Sequence, residues 1–319
     1  MKVRVASNFF CVADASFALP YRLVAQAIWR PIRESFMISR ILLALLFSST
    51  IVAFAFADDK PAGKWARFAF KNGAPVYGIV DGEQLREIEG TPFGSWKKTD
   101  RLVPIREAKL LAVTDARNVY ALAGNYQDHL AGLPPERLEK YKIPQFFMKT
   151  AACLCGDGDD ILYPKDAGRV DYEGELVIVI GKTGRNIPKE KALDYVFGVT
   201  VGNDVSARDW QKDDIQWWRA KGSDTFGPCG PFIVSGIDYG NLDMQVRVNG
   251  EVKMKTNTKL MVHDIPNSVS FLSRHVTLQP GDLIFTGTAG KTQPIKPGDW
   301  VEVEISGVGL LRNKVVAAK

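Results

Sequence analysis

Asp171-Tyr172-Glu173-Gly174-Glu175 leads directly into Leu176-Val177-Ile178-Val179-Ile180, and this stretch decides the fold. Its second half is an unbroken apolar run of mainly β-branched residues, which predicts a buried strand. Side chains alternate between the two faces of a strand, so Glu173 and Glu175 are expected to point the same way. Gly174 has no side chain, so another group can approach the backbone there. The sequence thus predicts an acidic pair on one face of a core strand.

Burying the acidic pair costs free energy, and this cost suggests that a positive group lies between the two carboxylates. Two carboxylates on one buried face repel each other, and burial costs several kcal/mol per ion unless a positive group lies between them. A divalent cation meets that need, because all-oxygen ligands suit Mg²⁺, Mn²⁺ or Ca²⁺. A second strand is predicted over 196–201, and Asp204 follows it at a turn, where a third carboxylate can be aimed at a site. The alternative is an exposed acidic start to the strand.

Short strands and turns dominate the rest of the chain. Strands are predicted over residues 65–70, 75–80, 84–88, 176–180, 196–201, 232–235, 244–248, 283–286 and 300–305. Hairpin turns are predicted at Asn72-Gly73 and Asn249-Gly250. One helix is predicted over 266–273, with Ile265, Val269 and Leu272 on one face.

These elements together predict a β-rich α+β fold. A small β N-terminal module is expected over 58–113, and a main domain, which would hold the acidic pair, over 114–319. A chain of 319 residues, 46% hydrophobic, is long enough to bury a sizeable core.

Residues 1–57 differ in composition from the rest. They hold six Lys or Arg and two acidic residues, and removing these from the totals of 41 and 36 leaves 35 basic and 34 acidic residues. The formal charge of +5 therefore does not indicate a nucleic-acid-binding surface. A basic start, an apolar run over 41–56 and the small residues Ala55 and Ala57 predict an export signal over 37–57. Residues 1–36 are expected to be an over-extended start, and an uncleaved membrane anchor is the alternative.

The predicted export bears on whether the cysteines could form a disulfide. After cleavage the protein would be periplasmic or secreted, and free of the membrane. Cys153, Cys155 and Cys229 would remain, without a CxxC pair or a zinc-like spacing of His and Cys. We interpret them as core or loop residues, although an exported location would permit one disulfide to Cys229.

Six pieces of the sequence, taken in order, resemble a known family. They are Gly124-Asn125-Tyr126-Gln127-Asp128-His129, Phe146-Phe147-Met148-Lys149-Thr150, Asp171-Tyr172-Glu173-Gly174-Glu175, residues 202–211, residues 221–231, and Gly281-Asp282-Leu283-Ile284-Phe285-Thr286-Gly287-Thr288. Spread over most of the predicted main domain, they resemble the fumarylacetoacetate hydrolase family, in its bacterial acylpyruvase, oxaloacetate decarboxylase and diene-dioate isomerase branches. The resemblance implies a mixed β-sandwich roll, a homodimer and a small 2-oxo acid substrate.

The resemblance also implies a role for each matching residue. Glu173, Glu175 and Asp204 would bind Mg²⁺ or Mn²⁺, which would act as a Lewis acid on a 2-oxo acid. Lys221 would lie beside the substrate carboxylate or the developing oxyanion. His129 would be the general base.

Three further matches imply contacts with the substrate: Arg208, Gln211 and Thr288. The structural alternatives are a salt bridge for Arg208 and a simple turn for Thr288. Two histidines, His263 and His275, flank the predicted helix, and we expect them to be surface or capping residues.

Two departures from the family pattern bear on the reaction. In hydrolytic members a glutamate three residues after the histidine completes a water-activating dyad, but here that position is Gly132. Glu136 or Glu139, in a flexible lid over 132–142, are the candidate replacements. Ala289 follows the threonine where the family usually has a proline.

Three functions therefore remain open. The first is a hydrolase that cleaves a C–C bond in a 2,4-dioxo acid of the acylpyruvate or fumarylacetoacetate type. The second is an isomerase or decarboxylase of a 2-oxo dicarboxylate, such as 2-hydroxyhepta-2,4-diene-1,7-dioate or oxaloacetate, which needs no activated water and is favoured by Gly132. The third is a non-catalytic exported binding protein, against which the retention of Lys221 and His129 argues.

Overall fold

The structure is a computed structural model that describes residues 62–71 and 73–319. Within these ranges the chain forms twenty strands: β1 (Gly63–Phe70), β2 (Val76–Asp81), β3 (Gln84–Gly90), β4 (Trp96–Pro104), β5 (Ala108–Leu110), β6 (Val119–Ala123), β7 (Gln145–Lys149), β8 (Leu154–Cys155), β9 (Ile161–Tyr163), β10 (Val170–Asp171), β11 (Gly174–Ile180), β12 (Val196–Asn203), β13 (Ser206–Ala207), β14 (Gly227–Ser235), β15 (Asp243–Val248), β16 (Glu251–Asn257), β17 (Leu283–Phe285), β18 (Pro294–Ile295), β19 (Trp300–Ile305) and β20 (Gly309–Ala317). The predicted export signal over 37–57 and the segment before it lie outside the described residues.

Five short α-helices lie among the strands of this described part: α1 (Gln127–Leu130), α2 (Pro135–Leu138), α3 (Arg208–Asp213), α4 (Trp218–Gly222) and α5 (Ile265–His275). Turns of 3-10 helix cover Ile105–Glu107, Glu139–Lys142, Ala151–Cys153, Lys189–Tyr195 and Thr258–Leu260. No helix within the described ranges has the length and apolar character needed to span a bilayer.

Helix α5 confirms the predicted helix and its buried face. The Asp264 side chain caps its first turn by accepting a hydrogen bond from the Asn267 N–H at 2.7 Å. Ile265, Val269 and Leu272 are all buried, as their helical spacing predicts.

Most strands join one large sheet. Its order is β4-β3-β2-β1-β14-β12-β11-β17-β6-β7, with β5 on β1 and β8 on β14. A five-stranded sheet, β16-β15-β19-β20-β9, and a three-stranded sheet, β13-β10-β18, complete the described fold. The large sheet and the five-stranded sheet are mixed, because β6–β17, β8–β14 and β9–β20 pair in parallel, whereas the other pairs, including those of the three-stranded sheet, are antiparallel. The β-rich prediction is confirmed, and β1 pairs with β14 so that the N-terminal strands continue the large sheet.

The predicted strands agree with the observed ones and differ mainly in extent. β19 has the predicted bounds, and β11 and β12 extend the predictions at one end. β14 begins at Gly227 rather than at residue 232, because Gly227 and Pro228 already pair with β8. The hairpin turn at Asn249-Gly250 is confirmed, with left-handed φ angles of 53° and 79°.

Strand β11 lies at the centre of the fold and is buried on both faces. Leu176 and Ile178 pack into a core shared with the five-stranded sheet and α5, and Val177 and Val179 pack into a second core shared with β17. Two-sided burial explains why the apolar run is unbroken. By strand alternation, Glu175 continues the face of Val177 and Val179.

The three cysteines of the main domain are free and buried, which confirms their interpretation as core or loop residues. Burial raises the pKa of the Cys229 thiol to about 12. Since the thiolate is the reactive form, Cys229 is chemically inert at neutral pH.

Gly174 lets the five-stranded sheet pack closely against the large sheet, and the close approach predicted at this glycine is observed. A Cβ atom on Gly174 would lie 2.3 Å from Val246 Cγ2 and 3.0 Å from Val303 Cγ1 of the five-stranded sheet. Real Cβ contacts are essentially never that short, so the sheets would have to move apart.

Replacing Gly174 by alanine is therefore expected to destabilise the protein by about 1–3 kcal/mol, the usual cost of overpacking a core. Urea unfolding followed by tryptophan fluorescence measures the change. Gly94→Ala is the matched control, because its Cβ would meet only Thr91 Oγ1 at 3.6 Å. Equal unfolding midpoints for the two variants would show that the sheets do not touch at Gly174.

Candidate metal and active site

Three buried carboxylates lie together at the end of β12 and the start of β11. Oxygen atoms of Glu173, Glu175 and Asp204 all lie within 4.8 Å of one another. The three residues are only 5%, 1% and 1% exposed. The sequence predicted these three residues as metal ligands, and the structure brings them together.

Main-chain contacts hold these carboxylates in place. β11 and β12 are antiparallel neighbours, with Gly174 opposite Asn203. The Glu173 N–H donates to Asn203 Oδ1 at 2.9 Å, and the Asp204 N–H donates to the Glu173 carbonyl at 2.8 Å. These contacts, one of them through the Asn203 side chain, fix the main-chain separation of Glu173 and Asp204.

Lys221 lies against two of the carboxylates. Its Nζ donates to Glu173 Oε2 at 2.6 Å and to Asp204 Oδ2 at 2.7 Å. Lys221 lies near the end of α4, and its side chain reaches the carboxylates from there. Burial alone would lower the pKa of Lys221, but the carboxylates of Asp204 and Glu173 outweigh that effect and raise the pKa. The two ion pairs thus favour the protonated form of Lys221.

Lys149, at the end of β7, is a second buried cation that the sequence did not single out. Its side chain is fully buried, and Nζ donates to Asp204 Oδ1 at 2.5 Å. It also donates to the main-chain carbonyls of Phe226, at 3.0 Å, and Lys221. The signal was present, because Lys149 lies in one of the six family pieces, but an edge-strand lysine is usually a solvated residue.

The carboxylates differ in their electrostatic surroundings. Burial raises the pKa of Glu173, but Lys221 and Arg208 outweigh it, so the pKa lies well below the ordinary value. Burial and the charges of Asp204 and Glu173 raise the pKa of Glu175 well above its ordinary value. Within the described residues Glu175 forms no salt bridge, and its hydrogen-bond donor is the Gly287 N–H at 2.7 Å.

The donor set fits a divalent cation. Three buried carboxylates offer hard oxygen ligands of the kind that Mg²⁺ and Mn²⁺ accept. Burial and its acidic neighbours disfavour the charged form of Glu175, and a bound cation would compensate that charge.

Arg208 is fully engaged by protein groups. Its Nη2 donates to Glu173 Oε1 at 2.6 Å, its Nε to Asp171 Oδ2 at 2.9 Å and its Nη1 to Gln211 Oε1 at 2.8 Å. The Thr292 hydroxyl joins the network by donating to Asp171 at 2.7 Å. The alternative of a salt bridge for Arg208 is thus observed, with Asp171 and Glu173 as partners, and substrate binding by Arg208 and Gln211 stays a prediction. Asp171 and Thr292 were not predicted as site residues.

One loop, residues 286–290 after β17, connects the carboxylates to the candidate base. Besides the Gly287 contact to Glu175, the Thr288 hydroxyl donates to the Gly174 carbonyl at 3.0 Å. Further along, the Gly290 carbonyl accepts a hydrogen bond from His129 Nδ1 at 2.6 Å. Thr288 is buried and anchors this loop, and its contact with substrate stays a prediction.

The structure shows how His129 is oriented. Because a carbonyl only accepts hydrogen bonds, Nδ1 carries a proton, and in the neutral ring Nε2 has the free lone pair. Glu136 and Glu139 do not hydrogen-bond His129 within the described residues, so the structure supports neither as the dyad partner. Gly132 has a φ of 85°, which side-chain-bearing residues rarely adopt. The residue at position 132 is thus not the glutamate of the dyad, and its backbone conformation is one that a glutamate would rarely adopt.

The prediction for His263 is wrong. It is 8% exposed, and its ring bonds the Tyr141 carbonyl and the Asn267 side chain at 2.9 Å each. The contacts with Tyr141 and Asn267 hold the ring in the interior. His275 is exposed in the last turn of α5, as expected.

Two family models match consecutive parts of the chain. One described as Fumarylacetoacetate (FAA) hydrolase C-terminal matches residues 114–316. One described as Rv2993c-like, N-terminal, matches residues 64–112.

Known proteins align over most of their length. The structure of 2-hydroxyhepta-2,4-diene-1,7-dioate isomerase from Mycobacterium marinum is 39% identical, covers 80% of this chain and 99% of its own, and has a TM-score of 0.73. That of maleylpyruvate hydrolase from Sphingobium sp. SYK-6, in complex with manganese (II) ion and pyruvate, is 28% identical over 80% of this chain and 100% of its own, with a TM-score of 0.66. Oxaloacetate tautomerase FAHD2A, mitochondrial, of Bos taurus is 40% identical over 67% of this chain and 72% of its own.

Proposed function

The chain belongs to the fumarylacetoacetate hydrolase family, whose members are metal-dependent hydrolases or isomerases, and we propose that it is an isomerase or tautomerase of a small 2-oxo acid. A divalent cation held by Glu173, Glu175 and Asp204 would supply Lewis-acid stabilisation of the negative charge that develops on the 2-oxo acid. Mg²⁺ and Mn²⁺ both suit these ligands, and manganese is the ion bound by the similar maleylpyruvate hydrolase.

Lys221 would provide the fixed positive charge of the site. Its raised pKa keeps it protonated, and its contacts to Glu173 and Asp204 hold it in place before substrate arrives. A preorganised cation lowers the energy of a developing oxyanion without reorganising during the reaction.

The hydrogen bond between His129 and the Gly290 carbonyl is the observation that favours an isomerase over a hydrolase. It leaves Nε2 free to remove a proton from the carbon next to the keto group and to return it elsewhere. A neutral carbonyl, unlike a carboxylate, does not stabilise the charged ring through a full ion pair. Proton transfer needs only a transient imidazolium, whereas hydrolysis also needs an activated and positioned water. The likeness to an isomerase and to a tautomerase supports the same assignment.

Hydrolytic cleavage of a C–C bond in a 2,4-dioxo acid is the second candidate. Its support is the likeness to maleylpyruvate hydrolase, which covers the whole of that chain. A purely non-catalytic binding role receives less support, because the structure keeps Lys221 buried against two carboxylates at a desolvation cost.

Direct assay of two substrates separates these functions. We expect the purified protein with Mg²⁺ or Mn²⁺ to accelerate the decay of enol absorbance of oxaloacetate, without release of pyruvate, and to lose this activity in EDTA. Fumarylpyruvate should be stable in its presence. Metal-dependent release of pyruvate and fumarate would instead establish the hydrolase, and a lack of turnover on both substrates and on the diene-dioate would favour the binding protein.

Replacing His129 by glutamine is expected to lower kcat by about 100-fold, the low end of what a positioned general base contributes. His275→Gln is the matched control, because His275 is exposed at the end of α5. Retention of wild-type kcat by His129→Gln would remove His129 from the mechanism.

A further inference from the structure

We propose that Lys149 is a positioning residue that fixes Asp204 and the end of α4 relative to each other, and thereby sets the affinity of the carboxylates for a divalent cation. This inference rests on the proposed metal-dependent function. Of the three carboxylates, Lys149 is hydrogen-bonded to Asp204 in the described structure, so it acts through Asp204.

The ammonium of Lys149 has no donor to spare. A lysine has three N–H donors, and the three acceptors here are Asp204 Oδ1 and the carbonyls of Phe226 and Lys221. Its side chain has no exposed surface. Its charge therefore cannot turn toward a substrate, which separates its role from that of Lys221.

The same contacts form a closed ring around Asp204. The Phe226 carbonyl accepts from Lys149 Nζ at 3.0 Å and also from the Val205 N–H at 3.0 Å. Val205 follows Asp204 directly, so Lys149 restrains Asp204 through its side chain and through its neighbour's main chain. Asp204 thus has one oxygen on Lys149 and the other on Lys221.

Lys149 also links distant parts of the fold. It ends β7, an edge strand, whereas Asp204 follows β12, and β11, β17 and β6 lie between these strands in the sheet. Through the Lys221 carbonyl it holds the last turn of α4, the helix that carries Lys221. One side chain therefore sets the distance between the carboxylates and the fixed cation.

A role of Lys149 through its charge and a role through its position predict opposite effects of its removal on the affinity for a metal ion. If Lys149 acted only through its charge, its removal would strengthen the binding of a cation by taking away a nearby positive group. If it acts by position, its removal takes the Lys149 donor away from Asp204 Oδ1 and from the carbonyls of Phe226 and Lys221, and these groups must rearrange. A group that orients a metal ligand typically contributes 10–100-fold to affinity.

Binding of Mn²⁺ alone to Lys149→Met and Lys149→Arg tests the proposal, with free Mn²⁺ followed by electron paramagnetic resonance. Arginine keeps the charge, but its planar group cannot reproduce the three contacts of an ammonium. We expect the Kd for Mn²⁺ to rise by roughly 10–100-fold in both variants. Tighter binding by Lys149→Met with unchanged binding by Lys149→Arg would show a charge effect only. Unchanged Kd values in both would show a structural role only.

Two controls separate an effect of Lys149 on Mn²⁺ binding from a general loss of stability and from the absence of a metal site. Leu85→Ala removes a fully buried side chain from a separate core of the N-terminal strands, so it should lower stability without changing the Kd. A Leu85→Ala protein that also bound Mn²⁺ weakly would assign the effect to lost stability and overturn the proposal. Wild-type protein without Mn²⁺ binding would refute the metal site itself, a failure distinct from equal Kd values in wild type and variants.

Discussion

Glu175→Gln is expected to abolish metal-dependent catalysis while leaving the metal-free protein as stable as wild type, or more so. Glu175 is buried, and within the described residues it forms no salt bridge, whereas Glu173 and Asp204 are each paired with cations. Glutamine keeps the volume and an oxygen that can accept the Gly287 N–H, and it is neutral, which is the form that burial favours for Glu175 without a metal. The metal-free fold therefore loses no ion pair, but the proposed metal site loses a carboxylate. We expect kcat/KM to fall by roughly 1,000-fold, or about 4 kcal/mol.

Thermal unfolding with and without Mn²⁺ measures both halves of this prediction. In wild type, Mn²⁺ should raise the Tm by mass action, and Glu175→Gln should lose that increase. Glu173→Gln is the matched control: it breaks contacts to Lys221 and Arg208 and should destabilise the metal-free protein by about 3 kcal/mol. An equal loss of metal-free stability in both variants would mean that Glu175 is paired after all.

Lys221→Met is expected to have a different signature, with lost activity and lost stability but retained metal binding. Its removal leaves Glu173 Oε2 and Asp204 Oδ2 without their donor in the interior, which should cost about 3 kcal/mol of stability. Activity should fall by roughly 100- to 1,000-fold, the usual effect of removing one donor to a developing oxyanion. The affinity for Mn²⁺ should stay the same or increase, because Lys221 occupies one oxygen of Glu173 and one of Asp204, and its removal frees both oxygens and takes away a nearby positive charge.

Calorimetric titration with Mn²⁺ and urea unfolding check these two quantities. Lys97→Met is the matched control, because Lys97 is 74% exposed in its ion pair with Glu89 and exposed pairs contribute little. Weaker Mn²⁺ binding by Lys221→Met would assign Lys221 to holding the carboxylates rather than to the substrate.

Local pattern was enough to find the acidic cluster. Alternation along β11 gives Glu173 and Glu175 one direction, and the end of β12 places Asp204 beside them, so short-range rules coincide with the three-dimensional contact. The buried helix face and the turn at Asn249 are also set by local spacing and were predicted correctly.

Contacts between segments far apart in sequence could not be predicted from local sequence pattern. Lys149 looks like an ordinary edge-strand lysine until Asp204 and Phe226 are brought to it. Thr292 meets Arg208 and Asp171 across a long separation in sequence, and no periodicity marks it. His263 was misplaced because its burial depends on Tyr141 and Asn267 together. Family resemblance supplied Lys221 and His129, but only the structure shows that His129 bonds Gly290 rather than a carboxylate.

The assembly of the cluster from separate strands has a consequence for the order of folding. Lys149, Asp204, Lys221 and Gly287 come from segments far apart in sequence, so the cluster has no local precursor in a partly folded chain. Pairings of this kind form slowly and late, after long loops have closed. A metal ion would then bind only the finished sheet, and it would slow unfolding without accelerating folding.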